Sequence, residues 1–512
     1  MNGAESLVRS LLASGVDVCF TNPGTSEMHF VAALDHVPGM RSVLALQEGV
    51  AAGAADGYFR MARKPASTLL HLGPGLANGL SNLHNAKKAG SGVVNIVGEH
   101  ATAHIALDAP LTSDIDGIAR PVSHWVRTAR DAANVGADGA EAVAAAREAP
   151  GQIATLILPG DAAWDPGGAV AGPIRNVELP VATEDAVSGA AAKLAGPQDL
   201  LLLGGRALTE DGLAAAGRIA AHTGCALLTE WANARMERGR GRIAVNRVPY
   251  PIDQAVEVLS GFRRIVLAGA RPPIGFFAYP DKPGVLTADG TEFAVLAAPS
   301  ADLPGSLAAL ADHIEASKPE PVDRPALPDI PDGPATPESI ATVLANLIPE
   351  NAIVVDESVT TGRLFFGQTH GANPHTWLNN CGGSIGYGLP AAVGAAIACP
   401  DRKVIALEGD GSAMYTPQAL WTMAREGLDV TILIFANRSY RILLGELTNV
   451  GVANPGPRAI DMLSLNRPEL AWTDLARSMG VEAWRVEDTA SLADAMARGL
   501  AVQGPALIEV MM

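Results

Sequence analysis

The chain has 512 residues, which allows about three domains at the usual domain size. Hydrophobic residues make up 48% of it and charged residues 18%, a composition that excludes a mainly disordered protein. The formal net charge of −17 disfavours a nucleic-acid or anionic-membrane surface, so we expect no nucleic acid and no membrane among its partners.

The N-terminus and the cysteines indicate the cellular compartment. The first residues, MNGAES, lack the basic and apolar regions of a signal peptide, and no apolar run reaches the ~18 residues of a membrane span. The four cysteines form no CxxC pair, which is typical of reduced, buried thiols. We therefore expect a cytoplasmic protein.

Two stretches rich in proline and glycine predict linkers. The stronger, 318–338, has seven prolines in 21 residues, and the weaker is 165–185. They divide the chain into an N-terminal domain (1–165), a central domain (185–317) and a C-terminal domain (338–512), each of ordinary domain size.

Each domain reads as alternating strands and helices. Uninterrupted apolar runs, typical of strands buried on both faces of a parallel sheet, occur at 93–97, 154–158, 200–203, 265–268, 353–355, 404–407 and 430–435. Alanine-rich helical stretches at 141–148 and 213–222 lie between them. The pattern predicts three doubly wound α/β domains with mostly parallel sheets, whose ligand sites follow the carboxyl ends of strands.

The first candidate site residue is Glu48. It follows the strand-like SVLAL and opens a helix of small residues, and no residue within three positions of it is charged. The loops 20–27 (FTNPGTSE) and 70–75 (LHLGPG) are predicted turns that lie near it at the same sheet edge. Glu48 is either an acid in an apolar pocket or an ordinary glutamate favoured at a helix N-terminus.

The most specific motif is EGDGS at 408–412, directly after a predicted strand. A carboxylate on a Gly-Asp-Gly turn can approach a hard cation, and the glycines let backbone come close to phosphate oxygens. Asn437 comes 27 residues after Asp410, at the end of the next strand. One strand–helix–strand step brings these ends together, so Asp410, Asn437 and a nearby carbonyl can share one Mg²⁺. The alternative is an ordinary turn followed by a helix cap.

This spacing resembles the thiamin-diphosphate binding motif, and nearly the whole chain resembles the pyruvate-oxidase/acetohydroxyacid-synthase superfamily. The resemblance implies pyrimidine-binding, central and diphosphate-binding domains, with Glu48 as the acid that activates the cofactor. It implies metal ligation by Asp410, Asn437 and the backbone oxygen of Ser439, although Ala436 stands where the family usually has a first Asn. Other residues that it places at the cofactor are Asn22, Pro23, Gly24, Gly383, Ile385, Gly409, Gly411, Ser412 and Tyr440, with the Gly383 carbonyl at the 4′-amino group and Ile385 as the wedge under the bent cofactor.

In this family Glu48 and the GDG motif come from different protomers, so the resemblance implies a homodimer at minimum, and we expect a homotetramer. Within the family the chain resembles benzoylformate decarboxylase, which has a His in the loop equivalent to 70–75 and a Ser in its NPG turn. By that resemblance His71 moves a proton and Ser26 holds the substrate carboxylate. The segment 107–125 also resembles that enzyme. Either residue could instead be an ordinary loop residue.

One departure concerns the central domain. Benzoylformate decarboxylase has a second active-site His there, whereas the matching stretch 270–280 has none, and Phe277 is its nearest counterpart. With Phe276 it makes the predicted pocket more apolar, which suits an aromatic or branched 2-oxo acid.

The predicted function is thiamin-diphosphate- and Mg²⁺-dependent decarboxylation of a 2-oxo acid, with carboligation to an aldehyde as an open second outcome. The alternative is an acetolactate-synthase-type carboligase acting on pyruvate, with FAD at the glycine turn 202–207; the missing Phe-Gln loop disfavours it, and FAD is not favoured. A non-catalytic binding homologue is a third hypothesis, but it predicts loss of Glu48 or the metal ligands. The sequence leaves the substrate and the choice between dimer and tetramer open.

Overall fold

The computed structural model describes residues 1–317 and 326–512. Residues 318–325 of the predicted linker 318–338 lie outside the described residues, and the next helix begins at Pro337. Among the described residues, no helix is long and apolar enough to cross a membrane.

The N-terminal segment forms a parallel sheet covered by helices on both faces. Its strands are β1 (Val18–Asn22), β2 (Arg41–Leu44), β3 (Ala66–Leu70), β4 (Val93–Glu99), β5 (Trp125–Thr128) and β6 (Ile153–Pro159), in the order β2-β1-β3-β4-β6-β5. Its helices are α1 (Gly3–Ala13), α2 (Met28–His36), α3 (Glu48–Ala62), α4 (Leu72–Ala89), α5 (Thr102–Ile105), α6 (Ile115–Ala119), α7 (Val135–Ala146) and α8 (Gly160–Trp164).

The central segment forms a second parallel sheet. It contains α9 (Glu184–Ala191), β7 (Asp199–Leu203), α10 (Glu210–Thr223), β8 (Ala226–Thr229), β9 (Met236–Arg238), β10 (Asn246–Arg247), α11 (Ile252–Leu259), β11 (Arg264–Ala268), β12 (Glu292–Ala297) and α12 (Leu303–His313). The strand order is β10-β8-β7-β11-β12. Strand β9 belongs to the central segment of the chain but pairs in the sheet of the C-terminal segment.

The C-terminal segment forms the third sheet. Its strands are β13 (Ile353–Glu357), β14 (His375–Asn379), β15 (Val404–Gly409), β16 (Val430–Ala436), β17 (Glu482–Val486) and β18 (Ala506–Met511). Its helices are α13 (Pro337–Leu347), α14 (Phe365–Gln368), α15 (Gly388–Ala398), α16 (Asp410–Ala413), α17 (Ala419–Glu426), α18 (Arg441–Asn449), α19 (Pro457–Asp461), α20 (Trp472–Ser478) and α21 (Thr489–Ala501). The order is β17-β18-β16-β15-β13-β14-β9, with β9 antiparallel to β14 and the other pairs parallel.

The predicted fold class is confirmed: three sheets, mostly parallel, alternate with helices, and all seven apolar runs lie in strands. The helical stretch 213–222 lies inside α10, while α7 covers the predicted stretch 141–148 only as far as Ala146, two residues before its end. The ranges 1–165, 185–317 and 338–512 stay our proposal for the domain boundaries.

One local prediction is wrong. The stretch 70–75 is not a turn, because α4 begins at Leu72, directly after β3. Pro74 lies in the first turn of α4, where its missing N–H has no intrahelical partner to lose. His71 therefore stands at the N-terminus of a helix.

The N-terminal and C-terminal segments meet through two helices of small residues, α3 and α15. A Cβ added to Gly57 would lie 2.1 Å from the Ala391 carbonyl oxygen, and one added to Gly394 would lie 1.9 Å from that of Ala54. Only glycine allows this close approach of two helix backbones. The contact fixes α3, and with it Glu48, relative to the C-terminal sheet.

Candidate active site

Glu48 lies at the carboxyl edge of the N-terminal sheet, as the first residue of α3. The Gln47 side chain caps this helix by accepting the Val50 N–H, and the Glu48 side chain is buried. The Asn78 amide donates to Glu48 Oε2 at 3.1 Å. Glu48 Oε1 lies beside Gly75, where a Cβ would be 3.3 Å away. The carboxyl group is thus held between α3 and the first turns of α4.

His71 lies near the same glycine. Its Cβ is 3.4 Å from a Cβ built on Gly75, so His71 and Glu48 both approach one position of α4. The structure therefore brings together these two residues, which sequence reasoning proposed as catalytic.

His71 has a partner that the sequence did not reveal. Its Nδ1 lies 2.8 Å from Oε2 of Glu27, a fully buried carboxyl that also accepts the Gly24 N–H at 2.7 Å. Burial raises the pKa of Glu27, and the Gly24 N–H and His71 oppose that rise. Glu27 belongs to the predicted turn FTNPGTSE, but nothing local in the sequence distinguishes it from a solvated turn glutamate.

The rest of this turn positions the backbone. Asn22 ends β1, and its side-chain amide donates to the Ala45 carbonyl at 2.8 Å, which joins the turn to the segment before Glu48. Pro23 and Ser26 are half-buried, and Thr25 is exposed. A Cβ on Gly24 would lie 2.3 Å from the His71 ring, so the imidazole lies flat against this glycine.

The second group of predicted residues lies at the carboxyl edge of the C-terminal sheet. Strands β15 and β16 are neighbours, so Asp410 and Asn437 follow adjacent strand ends, as predicted. Asp410 Oδ2 accepts the Arg438 N–H at 2.7 Å, and Asn437 Oδ1 accepts the Ser439 N–H at 3.0 Å. The two loops are therefore hydrogen-bonded to each other.

The donor set of these loops fits a hard cation. The Asp410 carboxylate, the Asn437 amide oxygen and the Ser439 carbonyl are all oxygen ligands, of the kind that Mg²⁺ prefers. Burial raises the pKa of Asp410 to about 6, against the lowering effect of the Arg438 and Gly411 N–H groups. A cation beside this carboxylate would favour its ionised form.

The loop between β14 and α15 contains Gly383 and Ile385. Gly383 and Gly386 have φ of 78° and 88°, a left-handed backbone that favours glycine. Gly383 is exposed and Ile385 is half-buried. Asn82 of α4 donates to the Gly386 carbonyl at 3.1 Å, so the loop is tied to the N-terminal segment.

Two buried carboxyl groups beneath this loop also escaped sequence reasoning. Glu357 and Glu408 are register partners at the ends of β13 and β15. Glu357 Oε2 accepts the N–H groups of Gly386 and Gly388 at 3.1 and 3.0 Å, and burial raises its pKa to about 7. Burial, then repulsion from Glu357 and from Asp356, raises the pKa of Glu408 well above its ordinary value. Glu408 stands in the quoted motif EGDGS, but only the fold shows that it is fully buried.

Aromatic residues of the central segment line the neighbouring surface. A Cβ built on Gly383 would lie 2.6 Å from the Phe276 ring, so this ring covers the glycine. Around it are Trp231, Tyr250 and Phe277, with ring centroids 4.7 to 5.7 Å away. The predicted apolar contribution of Phe276 and Phe277 thus lies at the loop that contains Gly383.

Comparisons with known proteins show the family of the chain. The family "Thiamine pyrophosphate enzyme, N-terminal TPP binding domain" matches residues 1–119, and "Thiamine pyrophosphate enzyme, C-terminal TPP binding domain" matches 362–510. A Mycobacterium tuberculosis protein with the provisional name acetolactate synthase large subunit IlvX is 51% identical over 100% of this chain and 99% of its own length. Benzoylformate decarboxylase of Pseudomonas aeruginosa is 30% identical over 97% of this chain and 96% of its own.

A solved structure shows the same fold over the whole chain. The thiamine diphosphate-dependent 4-hydroxybenzoylformate decarboxylase of Rhodococcus jostii superposes with a TM-score of 0.86 at 25% identity, covering 100% of this chain and 99% of its own.

Proposed function

The chain belongs to the thiamine pyrophosphate enzymes, and we propose that it decarboxylates a 2-oxo acid with thiamin diphosphate and Mg²⁺. The observation that carries this proposal is that Glu48 and His71 both lie within 3.4 Å of a Cβ built on Gly75. The similarity to benzoylformate decarboxylase over nearly the whole chain supports it.

The proposed roles at the C-terminal sheet edge concern the metal and the diphosphate. Asp410, Asn437 and the Ser439 carbonyl hold Mg²⁺, while Gly409, Gly411, Ser412 and Tyr440 surround the diphosphate. Thiamin diphosphate, when bound, supplies an electron sink for the carbon–carbon bond that breaks. Glu48 holds a proton at the pyrimidine ring, where Asn78 fixes its carboxyl group.

The remaining proposed contacts orient cofactor and substrate. Asn22, Pro23, Gly24, the Gly383 carbonyl and Ile385 contact the cofactor. Ser26 holds the substrate carboxylate, and His71 moves a proton to or from the reacting carbon. Phe276 and Phe277 exclude water from the substrate side chain.

A second candidate is an acetolactate-synthase-type carboligase acting on pyruvate. The observation that favours it is the 51% identity with a relative that carries such a name. FAD is proposed as a cofactor only for this second candidate function. We also propose a cytoplasmic homodimer or homotetramer, in which Glu48 of one protomer serves the metal site of its partner.

Product analysis tests the proposal. Purified protein is incubated with Mg²⁺, thiamin diphosphate and a panel of 2-oxo acids, and aldehyde and hydroxyketone products are quantified. Aldehyde from an aromatic or branched 2-oxo acid is the expected result, whereas acetolactate from pyruvate alone would favour the second candidate. Absence of any product from cofactor-bound protein would contradict both. Glu48→Gln protein serves as the control for turnover by contaminants.

A further inference from the structure

The His71 imidazole is held on two sides by one short turn. Gly24 lies under the ring face, and the Gly24 N–H and His71 Nδ1 converge on the same oxygen, Glu27 Oε2, at 2.7 and 2.8 Å. A ring held in this way cannot rotate without losing the Nδ1 contact. The turn therefore fixes the direction in which the other ring nitrogen, Nε2, points.

The rest of the Glu27 side chain is enclosed by the protein. Its side chain has no exposed area, and Oε1 has no hydrogen-bond partner among the described residues. Oε1 lies against Gly98 of β4, where a Cβ would be only 1.6 Å away, so this position requires glycine. A buried carboxyl with one unpartnered oxygen lowers the stability of the fold. The hydrogen bond with the Gly24 N–H closes the turn, but it needs only an acceptor oxygen and no negative charge.

We propose that Glu27 is a positioning residue that holds His71 as the Nδ1–H tautomer and leaves Nε2 as the nitrogen that exchanges the catalytic proton. This rests on the proposed function, in which His71 moves a proton. Nδ1–H donates to the Glu27 carboxylate throughout. Nε2 takes up one proton to give an imidazolium beside that carboxylate, and it returns to the neutral ring when it passes the same proton on. Glu27 itself transfers no proton.

Among the described residues, two other carboxyl groups belong to the elements around this pair. Glu48 Oε1 lies 3.3 Å from a Cβ built on Gly75, the glycine that His71 also approaches, and Glu99 follows Gly98 on β4. Glu99 is buried but accepts only the N–H of the adjacent His100, at 2.7 Å, among the described residues. Glu99→Gln is therefore a matched control: it neutralises a buried carboxyl of the same sheet edge that does not contact His71.

The test compares Glu27→Gln with Glu99→Gln in the full-length holoenzyme. We expect Glu27→Gln to lower kcat about 100-fold, the scale of a positioned acid–base group, with KM and cofactor affinity within about twofold of wild type. His71→Gln should abolish one limb of the pH–rate profile. In Glu27→Gln the same limb should move to lower pH, because the imidazolium loses its negative partner. Glu99→Gln should leave kcat and this limb unchanged.

A second readout is independent of turnover. In protein labelled with ¹⁵N-histidine, the His71 signals, assigned by their loss in His71→Gln, should show Nδ1–H in wild type and a mixture of tautomers in Glu27→Gln. If the variant does not fold, Glu27→Asp replaces it, since the shorter side chain withdraws the carboxylate from Nδ1. Unchanged kcat, or an Nε2–H tautomer in wild type, would overturn the inference. Wild-type protein that shows the Nδ1–H tautomer but turns over no 2-oxo acid would contradict the proposed function alone.

Discussion

Removal of the Asp56 carboxylate should destabilise the protein strongly. Asp56 and Arg60 of α3 form a two-bond ion pair, with both distances 2.7 Å and side chains that are 0% and 1% exposed. Arg60 also donates to the carbonyls of Asn379 and Ala234, at 2.6 and 3.1 Å, so one guanidinium joins all three segments. Asp56→Ala leaves this cation buried without its counterion. The expected loss is about 3–5 kcal/mol, whereas an exposed pair contributes about 1 kcal/mol or less.

Urea denaturation followed by circular dichroism measures this effect. Because a chain of this size need not unfold in one step, we compare midpoints of the first transition rather than a single free energy. Asp17→Ala is the matched control, since Asp17 pairs with Lys64 at 2.7 Å but both side chains are more than a third exposed. Replacing Asp56 and Arg60 together by leucine should recover part of the loss. If Asp56→Ala lowers the midpoint no more than Asp17→Ala does, the assignment of a buried, unscreened pair is wrong.

Three further predictions concern the site and its surroundings. Glu48→Gln should lower turnover at least about 100-fold while circular dichroism stays that of wild type; near-normal turnover would exclude its activating role. Asp410→Ala should abolish the Mg²⁺ dependence of thiamin diphosphate binding in a fluorescence titration, and an unchanged dependence would place the metal elsewhere. Burial lowers the pKa of His375 to about 3, so between pH 6.5 and 3 the unfolded chain binds the proton that the folded chain rejects. Above pH 6.5 this histidine does not lower the free energy of unfolding. Below pH 6.5 the free energy of unfolding falls by up to about 1.4 kcal/mol per pH unit as the pH drops. His375→Gln should flatten that fall, while the same change at exposed His36 should not.

The fold was predictable because its strands are buried on both faces. Uninterrupted apolar runs such as 430–435 indicate such strands directly, and every one of them lies in a sheet. Strand β9 was not predictable, because its three residues, Met-Glu-Arg, have no apolar pattern and pair with β14 only through tertiary contacts. The start of α4 was missed for a different reason: its Gly-Pro-Gly sequence is typical of turns, yet proline is tolerated in the first turn of a helix.

The same distinction applies to the site. Asp410 and Asn437 were predictable because both follow strands that are consecutive in the chain, so one strand–helix–strand step places them together. Glu27 and Glu408 were not, because their burial depends on residues far along the chain, Gly98 in one case and Glu357 in the other. Sequence spacing reports neighbours within one supersecondary unit, and it cannot report what a distant strand encloses.

The carboxyl groups that sequence reasoning missed, Glu27, Glu357 and Glu408, indicate how this protein arranges its site. Burial raises the pKa of all three. Glu357 and Glu408 lie at strand ends, and Glu27 lies in the turn after β1. Glu27 orients His71, and Glu357, the register partner of Glu408, holds the N–H groups at the start of α15. The Glu27 and Glu357 carboxyl groups that hold these partners are themselves buried. The fold therefore gives up some stability to hold polar groups in fixed positions before a substrate arrives, which is the condition under which such groups act most strongly on a developing charge.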